Sequence, residues 1–121
     1  MAVKEQNLSI IAGDTTTYTV RIKAFGAPVD ISGHLLLMTI KRSTDDTDEQ
    51  AVVRKRVVIP ADNQAKNGLG VLVLQSVDTC DVEPGNYRYD VKKVIPGTLP
   101  DVTTILRGNF SIERSITRSV I

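Results

Sequence analysis

A Pro-Gly pair followed by two alternating tyrosines constrains this chain more than any other feature. Tyr87 lies two residues after Gly85, and Tyr89 follows on the same face of a predicted strand. In immunoglobulin-like sandwiches, a tyrosine near the start of strand F packs inside, and its hydroxyl bonds to backbone a few residues upstream. Tyr87 has that position, and Tyr89 stands where such domains often carry a core cysteine. Pro84 and Gly85 fit the centre of a type II turn before this strand.

Alternation between apolar and polar residues, interrupted by turn residues, predicts strands along the whole chain. In residues 15–24, for example, Tyr18, Val20 and Ile22 share one face, as in a half-buried strand. The predicted strands are residues 8–11, 15–24, 35–41, 51–59, 69–75, 86–95 and 103–112. Ser76 to Val82 fits a single helical turn, and Gly108 inside the last strand indicates a bulge or a close approach of another backbone. We predict an all-β, immunoglobulin-like antiparallel sandwich of seven to eight strands.

Composition limits the domain organisation and the class of partner. We predict one sandwich domain over residues 1–121, with extended arms at 1–7 and 113–121, because this length suffices for one core. The 15 basic residues nearly balance the 14 acidic ones, so no global field favours nucleic acid or an anionic membrane. No apolar run approaches the roughly 18–20 residues of a spanning helix, and the polar N-terminus does not resemble a signal peptide. The single Cys80 suits assembly in a reducing cytosol.

The sequence contains no pattern typical of an enzyme or a metal site. His34, the only histidine, has no nearby Cys or His to complete a zinc site, and no serine context marks a triad partner. Acids next to Cys80 disfavour its thiolate, so we interpret it as a small buried residue. Asp45 to Glu49 lack the glycine and the terminal glutamate of a calcium loop, which favours a solvated hairpin loop. We therefore predict no catalytic residue, cofactor, metal or small-molecule substrate.

Arg54, Lys55 and Arg56 form a basic run inside a predicted strand. Arg54 and Arg56 share one face of that strand, and Lys55 takes the other. Lys41 and Arg42 on a predicted neighbouring strand would extend the run into a modest basic patch. No aromatic residues interleave this patch for base stacking. We interpret it as an inter-subunit salt-bridge surface or a solvated face, and we predict no nucleic-acid or membrane partner.

Several segments occur in an order that resembles the small immunoglobulin-like virion domains of tailed bacteriophages. The segments are residues 13–15, 26–33, 38–42, 74–79, 83–91 and 106–112. Such domains include the N-terminal domain of upper baseplate proteins and short stand-alone proteins encoded among head and tail genes. The resemblance spans about residues 13–118. Because the long C-terminal extension of a baseplate protein has no counterpart here, the resemblance implies a compact, stand-alone virion component.

The resemblance implies a non-enzymatic structural protein of a phage particle, assembled in the host bacterial cytoplasm. It would join, stabilise or decorate other virion proteins, and it would also contact copies of itself. The expected means are strand edges and terminal arms, because an added strand satisfies backbone groups that would otherwise face water. The predicted interface residues are Val3, Leu8, Ile10, Arg54, Arg56, Ile116, Val120 and Ile121.

Two other classes of function stay open at this stage. Sandwiches often carry ligands on the loops at one end, so a carbohydrate- or cell-surface-binding module is the alternative, although the scarcity of aromatic residues weighs against it. An enzyme or metal protein that uses His34 and the acids of residues 45–49 ranks third. Since unrelated functions share this fold, the sequence does not distinguish capsid decoration from a place in the neck, tail or baseplate.

Overall fold

The computed structural model describes residues 4–117, which form strands joined by turns and short helices. The strands are β1 (Lys4–Glu5), β2 (Leu8–Ile11), β3 (Thr16–Arg21), β4 (Lys23–Ala24), β5 (Ala27–Pro28), β6 (Leu35–Lys41), β7 (Val53–Val58), β8 (Leu69–Leu74), β9 (Gly85–Ile95) and β10 (Asp101–Glu113). The helical elements are a 3-10 turn (Asp48–Gln50), α1 (Asn63–Lys66) and α2 (Ser76–Thr79). The expected helical turn before β9 is therefore present as α2.

The strands form an all-β, immunoglobulin-like sandwich, as predicted. The larger sheet has the order β1-β10-β9-β6-β7, and β2 continues beside β10 after β1 ends. A second sheet pairs β3 with β8, and β4 pairs with β5 in a short hairpin. The expectation of purely antiparallel pairing is wrong at one edge, since β1 and β2 run parallel to β10. The whole intervening domain serves as the long connection that a parallel pair requires.

The core lies between the two sheets and is built by the alternation of each strand. Its inward residues include Leu36, Met38 and Ile40 of β6, Leu72 and Leu74 of β8, and Tyr89, Val91 and Phe110 of β9 and β10. The rings of Tyr89 and Phe110 meet edge to face, with centroids 5.7 Å apart. Fully burying one large apolar side chain stabilises the fold by about 1.5–3 kcal/mol. The whole set of inward residues therefore provides most of the stabilisation of the folded state.

Tyr87 forms the predicted tyrosine corner at the start of β9. Its ring is buried, and its hydroxyl donates a hydrogen bond to the backbone carbonyl of Glu83, four residues upstream. The prediction of a type II turn at Pro84 and Gly85 is wrong. Gly85 has a φ of 157°, whereas the glycine of such a turn needs a φ of about +80°. Gly85 instead lies at the first position of β9, so the strand begins earlier than expected.

Gln6 and Asn7 join β1 to β2 beside β10 with no change of register, and we call this pair the N-terminal junction. The junction is held by three hydrogen bonds: Gln6 N to Arg107 O (2.9 Å), Asn109 N to Asn7 Oδ1 (3.1 Å) and Tyr89 Oη to Gln6 O (2.6 Å). A Cβ atom on Gly108 would lie 2.2 Å from the Gln6 carbonyl oxygen. The close backbone approach predicted at Gly108 is therefore confirmed, and glycine is required there for β1 and β2 to dock.

Candidate interaction surface

The predicted interface residues near the N-terminus are part of the sandwich itself. Lys4 and Glu5, which the sequence assigned to an arm, pair with β10 of the same chain. Leu8 packs against the core, and Ile10 is 6% exposed within it. Ile10 is thus a core residue in this conformation, and the prediction that it contacts a partner does not fit its burial. Val3 lies outside the described residues.

The remaining predicted interface residues have different surroundings. Ile116 follows β10 and is 99% exposed, while Val120 and Ile121 lie outside the described residues. Arg54 and Arg56 project from the outer face of β7, which is the last strand of the larger sheet among residues 4–117. Of the eight residues, these two arginines belong to an extended surface that other strands complete.

The outer face of the larger sheet arranges its side chains in four rows, of which the first three begin at β7 and the fourth begins at β6. From one end of the strands to the other, the rows are Val58–Leu35–Val94–Val102, Arg56–Leu37–Lys92–Thr104, Arg54–Thr39–Asp90–Arg107–Glu5 and Lys41–Arg88–Asn109. The last three rows carry six basic side chains and border a shallow concavity of about 640 Å³. We call these three rows the basic face and the first row the apolar row.

Contacts within the face fix several of its side chains. Lys41 pairs with Asp48 (Nζ to Oδ1, 2.9 Å) and donates to the Asp46 carbonyl. Lys92 donates to the Thr104 hydroxyl at 2.7 Å. Two other pairs are Arg107 with Glu5 and Arg88 with Asn109. Within residues 4–117, Arg54 and Arg56 form no salt bridge, although the charge of Arg54 helps to lower the pKa of Asp48. Both guanidinium groups can therefore still pair with an external anion.

Two carboxylates of the face respond to their surroundings in opposite directions. The hydrogen bond and charge of Lys41 lower the pKa of the exposed Asp48. Burial raises the pKa of Asp90 in the middle of the face, and the nearby Lys92 and Lys41 partly oppose that rise. The centre of the face is thus partly desolvated, and charges that approach it are less screened than on an open surface.

The basic run of the sequence contributes to the face in part. Lys55 points to the opposite side of β7 and pairs with Asp78 of α2 at 3.0 Å. Arg42, which was expected to extend the patch, instead pairs with Glu83 and lies over the ring of Tyr87. Lys41 does belong to the face, because it is in register with Arg88 of β9.

The residues considered for chemistry are dispersed. His34 is half-buried, its pKa is lowered chiefly by burial and then by Lys93, and its Nδ1 atom has no hydrogen-bond partner among the described residues. Cys80 is exposed, so its interpretation as a buried residue is wrong: it follows α2 at the surface, where its thiol faces the Val77 carbonyl. Across residues 4–117, no group of three potential metal ligands occurs. The same part of the chain has no helix long and apolar enough to cross a membrane.

Comparison with solved structures supports the fold. The chain is similar to the N-terminal domain of phage TP901-1 ORF48, with a TM-score of 0.54 and 12% sequence identity, covering 89% of this chain and 85% of that chain. At this identity the likeness establishes the fold alone.

Two further structures are of voltage-gated sodium channel β subunits. One comes from photo-crosslinking analyses of multimeric cell-adhesive interactions of these subunits (TM-score 0.39, 9% identity, covering 97% of this chain and 98% of that chain). The other is of the β4 extracellular domains (TM-score 0.36, 11% identity, 96% and 97% coverage). With TM-scores this low, we draw no conclusion about this chain from these two structures. No protein-family model and no curated protein matches the chain in sequence.

The sequence interpretation missed half of the basic face. Arg88 and Lys92 alternate with buried residues of β9, and Arg107 does the same in β10. Their period-two spacing was available in the sequence and indicates a solvent-facing row. The strand register, which places Lys92 opposite Leu37 and Arg107 opposite Asp90, could not be predicted from the sequence. That register is what joins separate strands into one charged surface.

Proposed function

We propose that this chain is a non-enzymatic structural component of a tailed phage particle, which joins, stabilises or decorates other virion proteins. The observation that carries the proposal is the likeness of its fold to the N-terminal domain of phage TP901-1 ORF48 over most of both chains. The basic face adds support, because a broad charged surface is suited to selecting and orienting a protein partner. Under this proposal the protein resides in the virion, after assembly in the host bacterial cytoplasm.

The proposed partners are other virion proteins and copies of the same chain. The exposed Ile116 beyond β10 is available to either kind of partner, and the edge of β7, unpaired among residues 4–117, is available to other virion proteins. By contrast, the outer edge of β10 is already occupied by β1 and β2. Strand addition at β10 would therefore require the chain's own N-terminal strand to leave.

The test is to locate an epitope-tagged copy on purified particles by gold labelling and electron microscopy. One tag is placed in the loop of residues 96–100, and a second is placed in residues 43–47 at the opposite end of the sandwich. The two sites control for a tag that becomes buried on assembly. Label on the head indicates decoration or stabilisation of the capsid, and label at the neck or tail tip indicates a connector or baseplate component. The proposal fails if neither tag is seen and mass spectrometry finds no peptide of the chain in the particles.

A further inference from the structure

We propose that the basic face docks an extended acidic segment of a neighbouring protein, and that this segment also carries an aliphatic side chain for the apolar row. The inference rests on the proposed function and specifies the chemistry of the partner. It is drawn from the distribution of charge, the exposure of apolar side chains and the spacing of the arginines.

The charge of the face differs in sign from that of the remainder of the molecule. The six basic side chains of the face, taken with the carboxylates of Glu5 and Asp90 in its rows and of Asp48 beside it, have a summed formal charge of +3. The whole chain has a formal charge of +1, so the rest of it carries −2. Since Asp48 and Glu5 already pair with Lys41 and Arg107, the uncompensated charge is concentrated toward β7. An anionic partner is therefore attracted to one side of the molecule.

The apolar row gives the site a second requirement. Val58 is 57% exposed and Val102 is 52% exposed, at either end of a row that also contains Leu35 and Val94. Covering these side chains removes apolar surface from water, which favours association. A partner with carboxylates alone would leave the row uncovered.

The spacing of Arg54 and Arg56 fits an extended protein segment. Residues at i and i+2 of a strand lie about 6.6–6.8 Å apart on the same face. A partner laid along β7 in extended conformation repeats its own side chains at the same interval. Carboxylates at alternate positions of that partner would then meet both guanidinium groups, which suit bidentate recognition of carboxylates.

Other occupants fit the face less well. A symmetric contact between two basic faces would oppose like charges, so a second copy does not dock there by a two-fold axis. A site for single-stranded nucleic acid usually contains aromatic side chains on which the bases stack. The rows contain none. The observations thus favour an acidic protein segment.

The test uses the full-length protein, a synthetic peptide Val-Ser-Glu-Ser-Glu-Ser-Val, which in extended conformation places both Glu and a terminal Val on one face in either direction, and a thymidine oligonucleotide of equal negative charge. Backbone amide chemical shifts report where each probe binds. We expect the peptide to shift the amides of Arg54, Arg56 and Lys92 saturably, and more salt to weaken the effect. Peptide shifts spread over all exposed lysines, no saturable peptide binding, or tighter binding of the oligonucleotide than of the peptide would each overturn the proposal.

Matched charge-reversal variants sharpen this test. Arg54→Glu/Arg56→Glu should weaken peptide binding by at least about tenfold, because two ion pairs are each replaced by repulsion. The control, Arg21→Glu/Lys23→Glu, changes the same charge at exposed positions outside the basic face and should leave the affinity unchanged. Equal affinities of the two variants would refute the inference. Arg54→Gln/Arg56→Gln serves as a milder replacement if the charge reversal impairs folding.

Incorporation into particles separates this inference from the proposed function. If the protein is absent from particles while the peptide binds the basic face, the proposed function is wrong and the docking chemistry stands. If Arg54→Glu/Arg56→Glu enters particles at the level of the control variant and the peptide does not bind, the docking inference is wrong and the structural role stands.

Discussion

Replacing Gly108 by alanine should undock the N-terminal strand. The new methyl group would lie 2.2 Å from the Gln6 carbonyl oxygen, so the N-terminal junction must retreat by about 1 Å to reach a normal contact distance. Such a shift breaks or weakens the three hydrogen bonds that hold the junction, one of them made by the half-buried hydroxyl of Tyr89. At about 1 kcal/mol for each bond, the free energy of unfolding should fall by about 3 kcal/mol.

The assay is urea denaturation followed by circular dichroism, combined with amide hydrogen exchange of residues 4–11. A double-mutant cycle provides the control, because a chain that lacks residues 1–7 has no Gln6 carbonyl for the new methyl group to meet. In that truncated chain the substitution should change stability by no more than about 0.5 kcal/mol. The reasoning is refuted if Gly108→Ala costs the same in both backgrounds, or if the full-length variant keeps wild-type stability and exchange.

Three further predictions concern single side chains. Phe25 and Gly26 form the two-residue turn between β4 and β5 with φ values of 52° and 79°, so Phe25→Asn should raise stability by about 1 kcal/mol in urea denaturation; an unchanged midpoint would contradict this. Tyr87→Phe removes the hydroxyl bond to Glu83 and should cost about 1–1.5 kcal/mol with an unaltered circular dichroism spectrum; a neutral result would count against the corner. Burial raises the pKa of Asp90 above its usual 3.8, so the native state binds the proton more tightly than the unfolded state does. The stability of the wild type relative to Asp90→Asn should therefore fall as pH rises through the range just above 3.8. Parallel profiles of stability against pH for the two proteins would disprove this.

Local chemistry in the sequence was sufficient to predict most of the strands. The run at residues 35–41 is a strand with those bounds, and Leu72 and Leu74 face inward with Gly70 as expected. Tyr87 was identifiable because a buried aromatic ring with a polar end needs a backbone partner nearby in the chain. These features depend on short-range spacing, which a single sequence displays directly.

The features that the sequence did not reveal depend on contacts between distant segments. The parallel pairing of β1 and β2 with β10 joins the two ends of the chain, and no local pattern marks a residue as the partner of one a hundred positions away. The local sequence indicated that contact only through Gly108, because a glycine inside a strand predicts a bulge or a close approach of another backbone. The basic face likewise required the register of four strands, while the exposure of Cys80 follows from where α2 ends over the sandwich.

The free edge of β7 bears on how the protein behaves at high concentration. An open strand edge in a sheet is a template on which copies can pair and aggregate. Here the outer face of that edge strand carries Arg54 and Arg56 two residues apart, neither of them in a salt bridge within residues 4–117. Two such edges brought together would confront like charges along their length, which disfavours edge-to-edge association. Copies crowded together should therefore remain dispersed and available until a partner of opposite charge covers them.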